Sequence, residues 1–255
     1  MKPLILITND DGVDSRGIQS LIAALQDLGQ LFVVAPDGQR SAQSSALTIN
    51  NPLRAHKIME NESLTIFKCN GTPADCVKLG IDQLMPRRPD LVVSGINHGN
   101  NSSISVIYSG TMGATFEGCV GGIPSIGFSY GSPDARADMT GAMNYANLIA
   151  RQVLENGLPE GTCLNVNIPH YKEIKGVRIC RQAKGLWKEE FVKKEDPTGK
   201  EYYWLTGYFS CPDIDDETTD EWALGNGYVS IVPCTVDMTA YNFIDTLKTW
   251  NYEKK

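Results

Sequence analysis

Apolar residues along the first half of the chain fall into short buried runs and helical stripes that alternate. Leu4-Ile-Leu-Ile7 is an apolar run that ends in the polar stretch Thr8-Asn9-Asp10-Asp11-Gly12. Ile18, Leu21, Ile22, Leu25 and Leu28 then recur at helical spacing, with Ser15 placed to cap the helix and Gly29 to stop it. Leu31-Phe-Val-Val-Ala35 is a second buried run, closed by Pro36. Strand, helix and strand with short connections describe a parallel β-α-β unit. Further strands are expected over 64–67, 90–94, 124–129 and 164–168, with 177–180 as a neighbour of the last. Helices are expected over 112–120 and 139–155, and a glycine-rich loop over 95–101.

The pattern changes near residue 186. Trp187, Tyr202, Tyr203, Trp204, Tyr208 and Phe209 stand between charged stretches, and 211–221 is acidic and poor in apolar residues. Such a segment suits exposed hairpins, or an arm that buries its rings on another subunit. The expected fold class is α/β: a Rossmann-like parallel sheet flanked by helices, with a C-terminal hairpin or arm extension. Residues 1–185 form the core, and 186–255 supply the arm and a closing strand.

With 255 residues, 42% of them hydrophobic, the chain is long enough to bury a sizeable core. A net charge of −7 without a basic stripe argues against binding nucleic acid polymers, which requires clustered Lys and Arg. No run approaches the roughly 18–20 apolar residues of a membrane span, so a cytoplasmic protein without a membrane partner is expected. The seven cysteines are scattered and form no C-x-x-C pair, which leaves little basis for structural zinc or a disulfide framework.

Four polar clusters carry the candidate chemistry. In the first, Asp10 and Asp11 follow a buried strand. Side chains alternate in a strand, so these two converge on one object only where the backbone turns, and Gly12 permits the turn. Two adjacent carboxylates repel one another, and a divalent cation at a parallel strand's carboxyl end relieves that repulsion. A solvated turn is the alternative for an isolated Asp-Asp-Gly. The second cluster follows the next strand in 35–45, where Ser41 offers a neutral oxygen to a hard cation. In the third, 94–102, Asn97 offers a carbonyl oxygen to a metal or an amide N–H to an anion, and His98 is a candidate general acid or simply a loop side chain. The fourth, Tyr108-Ser109-Gly110-Thr111-Met-Gly113, opens a helix whose first amides and hydroxyls suit a phosphate. Together they describe metal-assisted phosphate chemistry.

At these residues the chain closely resembles the SurE family of survival proteins, divalent-metal-dependent nucleoside monophosphate phosphatases. The matching segments, in order, are 8–12, 35–41, 71–77, 94–101, 108–113 and 164–169, and residues 227–239 resemble the family's closing strand. The resemblance implies one divalent ion per subunit, Mg²⁺ or Mn²⁺, held by Asp10, Asp11, Ser41 and Asn97, with Asp10 and Asp11 the catalytic residues and the general acid open between metal-bound water and His98. It places the phosphate near Asn9, Asn101, Ser109, Gly110 and Thr111, and implies a homodimer or homotetramer with exchanged C-terminal arms. The expected reaction is hydrolysis of nucleoside 5′-monophosphates, and of 3′-monophosphates, to nucleoside and phosphate.

The adjacency of Asp10 and Asp11 departs from the D-x-D-x-T spacing of phosphatases that form an aspartyl-phosphate, so no covalent intermediate is required. A non-catalytic nucleotide-binding module is the alternative from another class. A dinucleotide site is improbable, because acids stand where G-x-G-x-x-G would have to be. A sugar-transferring enzyme with an acidic metal pair is disfavoured by the early position of that pair.

Overall fold

The computed structural model describes residues 2–252 apart from Pro133 and Ala135. In chain order the strands are β1 (Leu4–Thr8), β2 (Gln30–Pro36), β3 (Ala55–Glu60), β4 (Leu64–Cys69), β5 (Leu91–His98), β6 (Ser125–Tyr130), β7 (Thr162–Ile168), β8 (Val177–Ile179), β9 (Leu186–Lys188), β10 (Phe191–Glu195), β11 (Glu201–Leu205), β12 (Tyr208–Ser210) and β13 (Val229–Thr235). The helices are α1 (Arg16–Leu25), α2 (Pro73–Leu79), α3 (Gly110–Val120), α4 (Thr140–Asn156), α5 (Asp220–Gly225) and α6 (Tyr241–Lys248).

Nine strands form one sheet in the order β3-β4-β2-β1-β5-β6-β7-β13-β8. It is mostly parallel; β3 runs antiparallel to β4 and β13 antiparallel to β7, so the sheet is mixed rather than purely parallel. Every residue of β1 is buried, as a central strand covered on both faces requires. Its side chains alternate accordingly: Ile5 and Ile7 join the core under α1 and α4, while Leu4 and Leu6 join the core under α2.

The chain winds outward from β1 in both directions, with β2 on one side and β5 on the other. Thr8 is in register with Ser94 across β1 and β5, so the polar segments after Thr8 and Ser94 leave the sheet side by side. A strand-order reversal of this kind opens a crevice at the carboxyl ends of the strands.

The structure revises three expectations. The segment at 177–179 does not neighbour β7, because β13 pairs with both and lies between them. β13 carries buried residues that suit an interior position, whereas all three residues of β8 are exposed and fit a sheet edge. The expected loop at 95–101 begins later, since β5 continues to His98 through a register shift that pairs Asn97 with Ser129. Gly95 adopts φ +132°, and a Cβ there would collide with the Phe128 carbonyl, so only glycine fits this irregularity. Finally, β3, α2, α5 and α6 have no counterpart in the periodicity reading. α2 nevertheless carries a full start signal, with a Thr72/Asp75 capping box and Pro73 in its first turn.

Residues 186–210 form two small antiparallel pairs outside the main sheet, β9 with β12 and β10 with β11. All residues of β9, β10 and β11 are exposed in the protomer, including Trp187, Tyr203 and Trp204. Among the described residues no helix is long and apolar enough to cross a membrane.

Candidate active site

Backbone and side-chain bonds tie the first, second and fourth polar clusters together at the crevice, and the Thr8–Ser94 register sets the third beside the first. The Arg40 amide donates to the Asp10 carbonyl at 2.7 Å, joining the loop after β2 to the end of β1. The Ser44 amide donates to the Tyr108 carbonyl and its hydroxyl to the Ile107 carbonyl, joining that loop to the segment before α3. Thr72 and Asp75 complete the fastening from α2: Thr72 Oγ1 donates to the Ala46 carbonyl, and Asp75 accepts from the Thr48 amide and hydroxyl. The T-P-A-D spacing signals this cap in the sequence, but that the same Asp75 would also clamp a loop 27 residues away is visible only in the fold.

Asp10 is 5% exposed. Its Oδ1 accepts the Thr111 hydroxyl at 2.7 Å. Burial nevertheless pushes its carboxyl up to about 6, against the Thr111 bonds and with the charge of Asp11 adding to the rise. α3 packs close against it: a Cβ on Gly110 would lie 2.8 Å from Asp10 Cβ, so a side chain there would force the acid or the helix to move. Burial also raises Asp11, opposed by the charge and backbone N–H of His98. Asp11 Oδ2 is buried with no hydrogen-bond partner, as are Asn9 Oδ1 and His98 Nδ1. Buried polar atoms are normally satisfied, so orphans gathered at one crevice suit a bound ion or substrate.

Asn9 is held by donating from Nδ2 to the Gly12 carbonyl and to Ser15 Oγ, the hydroxyl that also caps α1. Asn97 donates from Nδ2 to the Gly99 carbonyl at 2.9 Å, which leaves its side-chain oxygen as the free end. Ser41 lies on an exposed part of the loop and accepts from Gln39 Nε2 at 3.0 Å. It makes no direct bond to Asp10, Asp11 or Asn97 among the described residues.

Asn101 is buried in an asparagine network. Its Nδ2 donates to Ser129 Oγ, its amide to Asn167 Oδ1, and its carbonyl accepts from Asn165 Nδ2. Asn165 and Asn167, two apart on β7, share one face, and the alternation Leu-Asn-Val-Asn-Ile displays that placement in the sequence. Ser109 caps α3 by accepting the Met112 amide at 3.1 Å, which leaves its own O–H available as a donor. Thr111 has a fully buried side chain committed to Asp10, so the structure places its hydroxyl on the acid rather than toward a phosphate.

The donor set fits a hard divalent cation: carboxylate and amide oxygens with unsatisfied valence, and no thiol or imidazole cluster. Among the described residues no group of three or more His, Cys, Asp and Glu could hold a metal. Any ion here therefore needs neutral Asn or Ser oxygens beside the two acids.

Comparison with known proteins agrees with this architecture. The family described as "Survival protein SurE" matches residues 5–189. A "5'-nucleotidase SurE" from Phocaeicola vulgatus is 51% identical, over 99% of this chain and 98% of that protein. One from Flavobacterium psychrophilum is 53% identical over 99% of both. The crystal structure of SurE protein from Aquifex aeolicus superposes with a TM-score of 0.84 at 42% identity, covering 96% of this chain and 98% of that one. The chain belongs to the SurE family.

Proposed function

We propose that the protein is a divalent-metal-dependent phosphatase that hydrolyses nucleoside 5′-monophosphates, with 3′-monophosphates as further substrates. One observation carries this reading: Asp11 Oδ2 is buried without a partner beside a second buried carboxylate, at the crevice where the strand order reverses. The names of the relatives supply the nucleotide.

Asp10, Asp11, Asn97 and Ser41 would hold the ion, which when bound supplies Lewis-acid polarisation of the phosphoryl group and acidity to a water. Asp10 is oriented by Thr111, and Asn9 by Gly12 and Ser15, so these groups meet a substrate without rearranging. The Ser109 O–H, the Gly110 amide at the start of α3, and the second N–H of the Asn101 amide are donors for the phosphoryl oxygens. His98, whose Nδ1 is unpartnered, is available to donate a proton to the leaving alkoxide.

Turnover of a panel of nucleoside monophosphates with Mg²⁺ or Mn²⁺, and its loss on adding EDTA, tests the proposal. Rates are expected to vary with the base by less than about a hundredfold, the scale of a few kcal/mol in differential binding. Binding of nucleotides without turnover under every metal condition would favour a regulatory module instead. The exposed rings of Tyr202, Tyr203 and Trp204 on the β10–β11 hairpin support a homodimer or homotetramer that covers them.

A further inference from the structure

A cavity of about 530 Å³ lies beside the candidate active site, lined by Ala42, Tyr108, Trp187, Glu190, Leu205 and Thr206. It adjoins the site through the chain itself, since Ala42 follows Ser41 and Tyr108 precedes Ser109. Its volume falls within the roughly 300–1,000 Å³ of small-molecule pockets. A second cavity of about 570 Å³, between Tyr130, Tyr145 and His170, contains no residue of the four polar clusters.

The wall carrying Trp187 is fixed to the active-site loop. Ser103 Oγ donates to the Ala183 carbonyl and accepts the Gly185 amide, both bonds buried. The Asp220 carboxylate, 1% exposed, accepts the amides of Ser103 and Ala183. Trp187 is braced edge-on by Phe209 at 5.7 Å between ring centroids. Both Trp187 and Tyr108 keep a large exposed surface, 41% and 54%, although large aromatic faces favour burial. Two exposed aromatic side chains lining one cavity, one of them, Tyr108, adjacent to the phosphate donor Ser109, suit a flat ring attached to a phosphate.

We propose that this cavity takes the nucleobase of the substrate, stacked against Tyr108 and Trp187, with the Glu190 carboxylate accepting from an exocyclic amino group. The assignment rests on the nucleotidase reading. Because an ionised carboxylate only accepts hydrogen bonds, the site favours adenine over hypoxanthine, which carries a carbonyl oxygen at that position.

The test compares kcat/KM for AMP, IMP and ribose 5-phosphate in the parent, Trp187→Ala, Trp187→Phe and Glu190→Gln, alongside tryptophan fluorescence during AMP titration. In Trp187→Ala the ratio of AMP to ribose 5-phosphate is expected to fall about tenfold, through KM, and in Trp187→Phe to return toward the parent. Glu190→Gln is expected to narrow the AMP-to-IMP ratio. AMP, but not inorganic phosphate, quenches the parent's emission, and Trp187→Phe loses that quench. Ratios that stay constant across all variants while both substrates are hydrolysed would overturn the pocket and leave the nucleotidase reading intact. If no monophosphate is hydrolysed, the nucleotidase reading falls, and the fluorescence titration alone then decides the pocket: equal quenching in parent and Trp187→Phe refutes it.

Discussion

The Thr111 hydroxyl donates a 2.7 Å hydrogen bond to Oδ1 of Asp10, joining the first turn of α3 to the end of β1 across 101 residues of sequence. The bond is buried on both sides, and it fixes the direction in which the first acid presents its remaining oxygen. Thr111→Val, which keeps the shape and removes the donor, is expected to cost about 1–3 kcal/mol, the penalty for leaving a buried acceptor unpaired. Thermal or urea unfolding of the metal-free protein measures it. The same variant should need more metal for half-maximal rate, and an unshifted metal titration would show that Thr111 does not orient Asp10.

Asp10→Asn and Asp11→Asn are each expected to abolish metal-dependent phosphatase activity and leave the fold intact. The asparagine at 10 still accepts from Thr111, and neither acid forms an ion pair with Lys or Arg among the described residues. The metal-free melting temperature of Asp10→Asn should equal or exceed that of the parent, since two neighbouring carboxylates no longer repel. Asn97→Ala is the milder case, with a higher metal requirement and nearly unchanged rate at saturation. Parent-level turnover by Asp11→Asn at saturating Mg²⁺ would remove that residue from the assignment.

Glu221 gives a pH test away from the metal. Its carboxyl is raised by burial, with the Ser102 hydroxyl opposing and the charge of Asp220 adding to the rise. A carboxyl whose folded pKa exceeds its unfolded one binds its proton more tightly when folded. Its stabilising contribution is therefore present at low pH and is lost as pH climbs through the folded value. Glu221→Gln keeps the acceptor for Ser102, which bonds Oε1 at 2.6 Å, and removes the charge. The variant should melt above the parent at pH 7, with the margin shrinking toward zero as pH falls to the ordinary carboxylate value of 4.5. A margin that does not change with pH would show that the effect is not ionisation of Glu221.

The aromatic arm predicts self-association. Tyr203 and Trp204 are each about 60% exposed in the protomer, on a hairpin that touches the main sheet through no strand pairing. Light scattering at micromolar concentration should report a mass of at least twice the 28.0 kDa chain. A monomer mass would leave these rings in solvent and count against an arm-mediated assembly.

Elements with local signals were legible in the chain before any contact was known. The unbroken apolar run of β1 marks a buried strand, the stripe of α1 follows from a periodicity of 3.6 residues, and the Ser15 cap from a hydroxyl placed at the helix start. The motif residues in their order carried the family resemblance. Properties that depend on contacts between distant segments emerged with the fold. Position in the sheet is one such property: β13 lies between β7 and β8 because an interior place needs burial on both faces, and no local pattern says which neighbours supply it. The committed role of Thr111 is another, since a threonine at a helix start looks alike whether its hydroxyl faces a ligand or a carboxylate. The raised carboxyl of Asp10 has the same origin: its charge is written in the chain, but the desolvation that moves it to about 6 exists only once α3 and the loop after β2 close over it.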